Sequence, residues 1–183
     1  MLEETFEKFA SIHRLSREVI VTEKIDGTNA QICVSDDMTD LRAGSRKRWI
    51  EVGDDNFGFA HWVQENKAEL LTLGPGRHYG EWWGSGIQRK YGLENGEKRF
   101  SLFNTHRWGN DETRPSCCHV VPVLTQLPAF DTVAIDAVLA DLQEMGSQAA
   151  PGFMDPEGIV VFHVASQAVF KKTLGDDGHK GPR

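Results

Sequence analysis

Cysteine is scarce in this chain, with only three in 183 residues. The set is odd in number and includes the adjacent pair Cys117 and Cys118, which cannot easily form an ordinary disulfide. We therefore exclude a secreted fold held together by disulfides. The sequence also lacks any run near the ~20 apolar residues that cross a bilayer, and its start lacks the basic and apolar regions of a leader peptide. These absences predict a cytoplasmic protein with no membrane partner.

Positive charge is in the minority, since 20 Lys and Arg stand against 27 Asp and Glu and give a formal net charge of −7. That mean charge argues weakly against a protein that coats DNA non-specifically. The basic residues are clustered, however, with four of them in the stretch RAGSRKR at 42–48. The distribution therefore still allows a local basic groove on an acidic protein.

The composition indicates one folded domain, because 39% of the residues are hydrophobic and chains split into several domains only beyond roughly 250 residues. Internal repeats and long Pro- or Ser-rich linkers are absent. Short strand-like runs alternate with two or three separated helical patterns. The sequence therefore predicts an α+β fold in which mostly antiparallel sheets are flanked by helices.

The predicted elements follow from the spacing of hydrophobic residues and from the glycine, proline and aspartate residues that mark the ends of helices and strands. They are a hairpin over 18–35 that turns at Asp26-Gly27, a helix from Asp54 or Asp55 to Leu73, strands at 77–83, 99–104 and 119–124, a helix from Asp131 to Gly146, and a closing hairpin of 158–164 with 167–173. The tail from Gly175 onward is predicted to be loose.

The most informative motif is Lys24-Ile25-Asp26-Gly27. Alone, it is typical of a solvated lysine before a turn. Here it extends to Glu23 on one side and to Thr28-Asn29 on the other. Further motifs follow in order along the chain: Ser45-Arg46, Gly80-Glu81-Trp82-Trp83-Gly84, Ser101-Leu102-Phe103-Asn104, Glu157-Gly158-Ile159-Val160-Val161 and Phe170-Lys171-Lys172-Thr173.

This ordered set resembles the covalent nucleotidyltransferase superfamily and, within it, the ATP-dependent RNA ligases. DNA ligases and mRNA capping enzymes usually carry Arg after the Lys-x-Asp-Gly motif, whereas Thr28-Asn29 is similar to the RNA-ligase version. The resemblance runs from about residue 18 to residue 173. It implies that residues 1–183 form a single nucleotidyltransferase domain, of the DNA-ligase adenylation and ATP-grasp-like kind, with no OB or accessory domain.

The resemblance implies that Lys24 attacks the α-phosphorus of ATP, expels pyrophosphate and forms a lysyl-AMP intermediate. An exposed lysine is a poor nucleophile, because an ordinary pKa of about 10.4 leaves almost all of it protonated at pH 7. Nearby cations disfavour the ammonium form, and Lys171 or Lys172 together with bound Mg²⁺, or Mn²⁺, would supply them. The same cations would stabilise the departing pyrophosphate.

The resemblance assigns the remaining roles residue by residue. Glu23 would accept a hydrogen bond from adenine, Phe103 would stack on the purine, Arg46 would bind the ribose or phosphate side, and Glu81 would accept from a ribose hydroxyl. Ile25 and Asn29 would complete the nucleotide site. Glu157 would lie near the metal or the lysine, since hard oxygen ligands suit Mg²⁺. Asp26, together with Asn29, would organise the lysine loop or lie at the metal through its bound waters.

The last motif departs from the family pattern, because two lysines are adjacent where a second basic residue usually follows after a gap. Adjacent residues of a strand face opposite sides, so only one of the two can point into the site. We expect Lys171 to do so and keep Lys172 as the second choice.

The implied function is an RNA ligase that transfers AMP to a 5′-phosphate end and then seals it to a 3′-hydroxyl. The strand would be RNA, or alternatively DNA. Three other interpretations stay open at this point: a nick-sealing DNA ligase module, a nucleotidyltransferase that needs a partner protein in place of an accessory domain, and a non-catalytic domain that binds nucleotide or RNA ends.

Overall fold

The computed structural model of the protein describes residues 5–175. Apart from Gly175, the tail that the sequence predicts to be loose lies outside the described residues, as do residues 1–4 of the start. The described chain is α+β, with two largely antiparallel sheets and a few short helices, as predicted. No helix among residues 5–175 is both long and apolar enough to cross a membrane.

The small sheet has four antiparallel strands. In spatial order these are β10 (Ala168–Thr173), β9 (Gly158–His163), β1 (Val19–Lys24) and β8 (Val123–Leu127). The predicted closing hairpin is confirmed, because β9 and β10 pair with Val169 opposite Phe162.

The large sheet has six strands, antiparallel except for its last pair. In spatial order these are β4 (Trp49–Ile50), β3 (Leu41–Ser45), β2 (Thr28–Val34), β5 (Gly76–Gly84), β6 (Lys98–Leu102) and β7 (Cys118–Val120). The four helices are α1 (Phe59–Glu65), α2 (Lys67–Leu70), α3 (Thr105–Trp108) and α4 (Thr132–Met145).

Helix α4 covers one face of the small sheet. Its start is specified by Asp131, whose side chain accepts hydrogen bonds from the amides of Val133 and Ala134, and Gly146 follows its last residue, as predicted. The buried side chains of α4 pack on alternate residues of β1 and β9. The buried residues of this cluster are Val19, Val21, Ile135, Leu139, Leu142, Ile159 and Val161. The residues between these on β1 and β9 therefore face the other way.

Helix α1 packs on one face of the large sheet, where Phe59 and Val63 are fully buried against strand side chains such as Phe100. The single predicted helix over 54–73 is wrong. The helix begins only at Phe59, because Gly58 has a left-handed φ of 82°, and it breaks at Asn66 before α2. Asp55 still caps the start of α1, although it precedes Phe59 in the chain, since its carboxylate accepts hydrogen bonds from the amides of Ala60 and His61.

The predicted hairpin over 18–35 is also wrong, because β1 and β2 belong to different sheets. Asp26-Gly27 carries the chain from one sheet to the other. A Cβ on Gly27 would lie 2.5 Å from the carbonyl oxygen of Trp82 and 2.7 Å from the Cβ of Trp83. Glycine is needed here for close packing against β5 and not for a reverse turn.

The predicted strand at 119–124 is likewise two strands. It divides at Val121-Pro122, so β7 joins the large sheet and β8 joins the small one. Proline cannot donate to a ladder, but the Pro122 carbonyl still accepts from the amide of Glu23. The two chain crossings hold the sheets side by side.

Candidate active site

A pocket of about 480 Å³ opens between the two sheets. The face of the small sheet opposite α4 forms one wall, the large sheet contributes Asn29 and Glu81, and residues 103–106 close a third side. The wall from the small sheet consists of Ile20, Thr22, Lys24, Val160, Phe162 and Val169. The volume and mixed lining are those of a small-molecule site.

Lys24 is the last residue of β1, at the strand end where the sequence predicts it. Strand alternation directs Ile20, Thr22 and Lys24 into the pocket. The Lys24 Nζ lies 2.5 Å from the Glu157 carboxylate, and both side chains are partly exposed. An amine attacks phosphorus through its lone pair, so Nζ needs to be free of its proton when it acts as a nucleophile.

Glu81 is buried and links the pocket to the lysine loop. Its carboxylate accepts from the amide of Gly27 at 3.2 Å and from the side-chain nitrogen of Asn29 at 2.9 Å. Burial raises the pKa of Glu81 to about 7, while the Lys24 charge and the two hydrogen bonds act against that rise. Asn29 and Glu81 are directly opposite on β2 and β5, so the sheet register fixes this pair.

Replacing Glu81 with glutamine should flatten the pH dependence of stability. Because the folded pKa is about 7 against an ordinary 4.5, the folded protein keeps a proton that the unfolded chain releases. The wild-type protein therefore loses stability as the pH rises from about 4.5 through 7, by at most about 3 kcal/mol. Urea unfolding from pH 5 to 8 measures the free energy of unfolding. As the pH rises, the stability of Glu81→Gln should increase relative to that of the wild-type protein. Parallel curves for the two proteins would contradict the burial argument.

Glu23 does not reach the pocket with its carboxylate, which corrects the expected contact with adenine. Being next to Lys24 on β1, its side chain points to the opposite face and is 1% exposed. It accepts hydrogen bonds from the Ser147 hydroxyl at 2.6 Å and from the amides of Gln148 and Ala149 at 2.8 and 2.9 Å. The Glu23 carboxylate thus holds the loop after α4 in place, and other atoms of Glu23 border the pocket.

The two lysines of the last motif face opposite ways. Thr22, Val160 and Lys171 form one row across the small sheet, and the first two line the pocket. Lys171 is exposed on that side. Lys172 is paired with Ile159, on the face that α4 covers, and its ammonium group forms an ion pair with Asp136 of α4. The second-choice assignment of Lys172 to the site is therefore corrected by the strand's alternation.

Asp26 lies outside the pocket lining, and its carboxylate braces the lysine loop, which is one of the two roles expected of it. The chain has left β1 at this point, and the Asp26 carboxylate pairs with the Arg89 guanidinium at 3.1 Å. Arg89 also pairs with Asp155, so it connects the loop after Lys24 to the segment before Glu157. Neither the sequence motifs nor the predicted elements reveal this bridging role of Arg89.

Tyr91 is a second residue that the sequence does not reveal. Its hydroxyl accepts from the Asp26 amide at 3.0 Å and donates to the Lys24 carbonyl at 3.3 Å. The ring is buried against Trp83 and Phe153, and burial raises the pKa of its hydroxyl. No local periodicity marks this contact, because it joins positions 67 residues apart.

The remaining predicted residues divide between the pocket and its surroundings. Phe103 lines the pocket and is 42% exposed, so one ring surface is open to a ligand. Ile25 lines it too, while packing on Trp83 and Tyr91. Arg46 lies in the exposed turn between β3 and β4 and is not among the residues that line the pocket.

The donor set for a divalent cation is small. Among residues 5–175 no group of three or more His, Cys, Asp or Glu side chains is arranged to hold a metal ion. Glu157 offers one carboxylate next to Lys24, which lines the pocket. Mg²⁺ commonly takes one or two carboxylates and completes its shell with water and substrate phosphates, so Glu157 fits a cation that arrives with a nucleotide.

Comparison with known proteins gives a consistent family and fold. A protein-family model described as RNA ligase matches residues 17–173. A search of curated proteins by sequence gives no significant match. Among solved structures, a variant of Naegleria gruberi RNA ligase with AMP and Mn is similar at a TM-score of 0.66 and 19% identity, over 87% of this chain and 50% of that one.

A second variant of that ligase, with ATP and Mn, gives a TM-score of 0.65 at 20% identity, over 87% of this chain and 50% of that one. At such identities the likeness shows a common fold. The present chain spans about half the length of the solved structures it matches.

Proposed function

The chain belongs to the RNA ligase family, and we propose that it is an ATP-dependent RNA ligase that forms a nucleotide adduct on Lys24. The observation that carries the proposal is that Lys24, which is paired with Glu157, lines a pocket of nucleotide size. Phe103 at one side of that pocket and Lys171 beside it supply an aromatic surface and an exposed cation. A site that only bound nucleotide would not need a nucleophile and an activating cation together.

In the first step the Lys24 Nζ gives up one proton to solvent, attacks the α-phosphorus of ATP and releases a second proton as the phosphoramidate forms. A phosphorus–nitrogen bond forms, the bond to the bridging oxygen breaks, and pyrophosphate leaves with the electron pair. Glu157 holds Nζ at the pocket, and Lys171 attracts the phosphates and stabilises the charge of the leaving group. A bound Mg²⁺ or Mn²⁺ would neutralise phosphate charge, with Glu157 as its ligand from this chain.

In the second step an oxygen of an RNA 5′-phosphate attacks the same phosphorus, and the bond to Nζ breaks. AMP is then joined to the RNA through a pyrophosphate linkage. In the third step a 3′-hydroxyl attacks the 5′-phosphate, a phosphodiester forms and AMP leaves. The Lys24 Nζ takes up one proton as it leaves phosphorus and a second from solvent, and the Glu157 ion pair can form again.

The proposal is tested by chasing the ATP-treated protein with 5′-phosphorylated RNA. We expect AMP-capped RNA first and sealed RNA afterwards when a 3′-hydroxyl end is present. RNA of the same sequence with a 5′-hydroxyl is the control and should receive no AMP. Adduct formation without transfer to either RNA would contradict the ligase assignment and favour a domain that handles nucleotide alone.

Replacing Phe103 with alanine should weaken ATP binding. Stacking of one base on an aromatic ring contributes about 1–3 kcal/mol, so the Kd for ATP should rise roughly five- to hundredfold. Phe170→Ala is the matched control, because Phe170 is 49% exposed and contacts Phe130 instead of the pocket. Titration of each variant with ATP by calorimetry measures the effect. Equal affinities for Phe103→Ala and Phe170→Ala would remove Phe103 from the nucleotide site.

A further inference from the structure

One face of the large sheet carries exposed aromatic and basic side chains beside the pocket. Helices α1 and α2 cover the opposite face, so alternate residues of β2, β3 and β5 project away from the core. Tyr79 is 52% exposed, and Arg42 and Arg77 are exposed as well. We call the surface formed by Gln31, Arg42, Trp49, Arg77 and Tyr79 the open face.

The open face is continuous with the pocket through the register of the sheet. The Phe103 amide donates to the Tyr79 carbonyl, Tyr79 is opposite Gln31, and Gln31 is opposite Gly44. A Cβ on Gly44 would meet Gln31 at 2.8 Å and the Trp49 ring at 3.1 Å, so both side chains lie over this glycine. The row runs from the pocket wall to the sheet edge, roughly 19 Å at ordinary strand spacing.

Two guanidinium groups lie over one indole at the far end of this row. Those of Arg42 and Arg77 are 4.7 and 5.2 Å from the centroid of the Trp49 ring. Arg77 also donates to the Gln31 side chain at 3.0 Å. Within residues 5–175 neither arginine has a carboxylate partner, although the chain as a whole is acidic. Both cations are thus held in position and remain available to an anion.

We propose that the open face binds the single RNA strand that leads to the pocket, with Arg42 and Arg77 on its phosphates and Tyr79 stacked on a base. Guanidinium groups match phosphate oxygens, and single strands are bound by grooves that combine cations with exposed rings. The row of residues ends at Phe103, so an RNA strand that follows it has one end at the pocket. The inference rests on the proposed function and names the surface that function uses outside the nucleotide site.

The test compares RNA binding with adduct formation in the same variants. Fluorescence anisotropy with a 5′-phosphorylated RNA of about ten nucleotides measures Kd over a series of salt concentrations. Arg42→Ala/Arg77→Ala should raise Kd about tenfold or more and reduce the salt slope by about 1.4, the value for two lost contacts on a single strand. Tyr79→Ala should raise Kd roughly five- to hundredfold. The yield of the ATP adduct should stay at the wild-type level in both.

The matched control is Arg48→Ala/Lys67→Ala, which removes two surface cations that are paired with Asp54 and Asp40. It should leave both Kd and salt slope near wild type. An equal loss of binding in this control would mean that only net charge matters and would overturn the proposal. So would a wild-type protein that does not bind the RNA, or open-face variants with unchanged Kd. The absence of an adduct in wild type would contradict the ligase chemistry instead, since the binding measurements need no ATP.

Discussion

Lys24→Arg should form no nucleotide adduct, with a rate at least about a thousandfold below wild type. Arginine keeps the positive charge and can still pair with Glu157, so the fold and the ion pair survive. Its guanidinium is never deprotonated in proteins and therefore has no lone pair with which to attack phosphorus. The loss would thus isolate the chemistry of the amine from its charge.

The measurement is the initial rate at which the folded protein takes up label from α-labelled ATP, read after denaturation removes unreacted ATP. Urea unfolding is the check on folding. Lys67→Arg is the control, because it makes the same change at an exposed lysine paired with Asp40. An adduct of normal yield in Lys24→Arg would mean that another nucleophile accepts the nucleotide.

Lys171→Ala should lower the rate of adduct formation by about a hundredfold or more, whereas Lys172→Ala should leave it near wild type. Loss of a preorganised cation at the charge that develops on the phosphates has effects of this size. Lys172 instead pairs with Asp136 on the side of α4, and both side chains of that pair are about half exposed. Its removal should therefore cost at most about 1 kcal/mol of stability.

Rates for both variants at saturating ATP, together with their free energies of unfolding, separate the two lysines. Because the substitutions are identical and adjacent, they change net charge equally and differ only in the face of β10 from which a side chain is lost. A larger loss of rate in Lys172→Ala than in Lys171→Ala would contradict the register of the small sheet.

The strand positions of the key residues could be predicted from the sequence where local patterns suffice. Lys24 ends a strand as expected, and the alternation rule separates Lys171 from Lys172 once β10 is accepted as a strand. The same rule, applied to β1, would have turned Glu23 away from the pocket. Its expected contact with adenine came from the resemblance alone, and the buried hydrogen bonds to residues 147–149 replace it.

The errors share a physical origin in contacts between distant parts of the chain. Asp26-Gly27 has the composition of a hairpin turn, yet Gly27 is required because β5 packs against it. Val121-Pro122 divides what reads as one strand between two sheets. Arg89 and Tyr91 brace the Lys24 loop across more than 60 residues, so no local spacing could reveal them.

The central claim is that Lys24 Nζ carries the nucleotide, and peptide mapping of the ATP-treated protein tests it most directly. The protein is incubated with ATP and Mg²⁺ or Mn²⁺, denatured and digested, and the adduct is located by mass spectrometry. The account predicts one AMP, attached to Lys24 and released when pyrophosphate is added before denaturation. AMP on a different residue, or ATP that binds the folded protein but leaves no covalent mark, would contradict it.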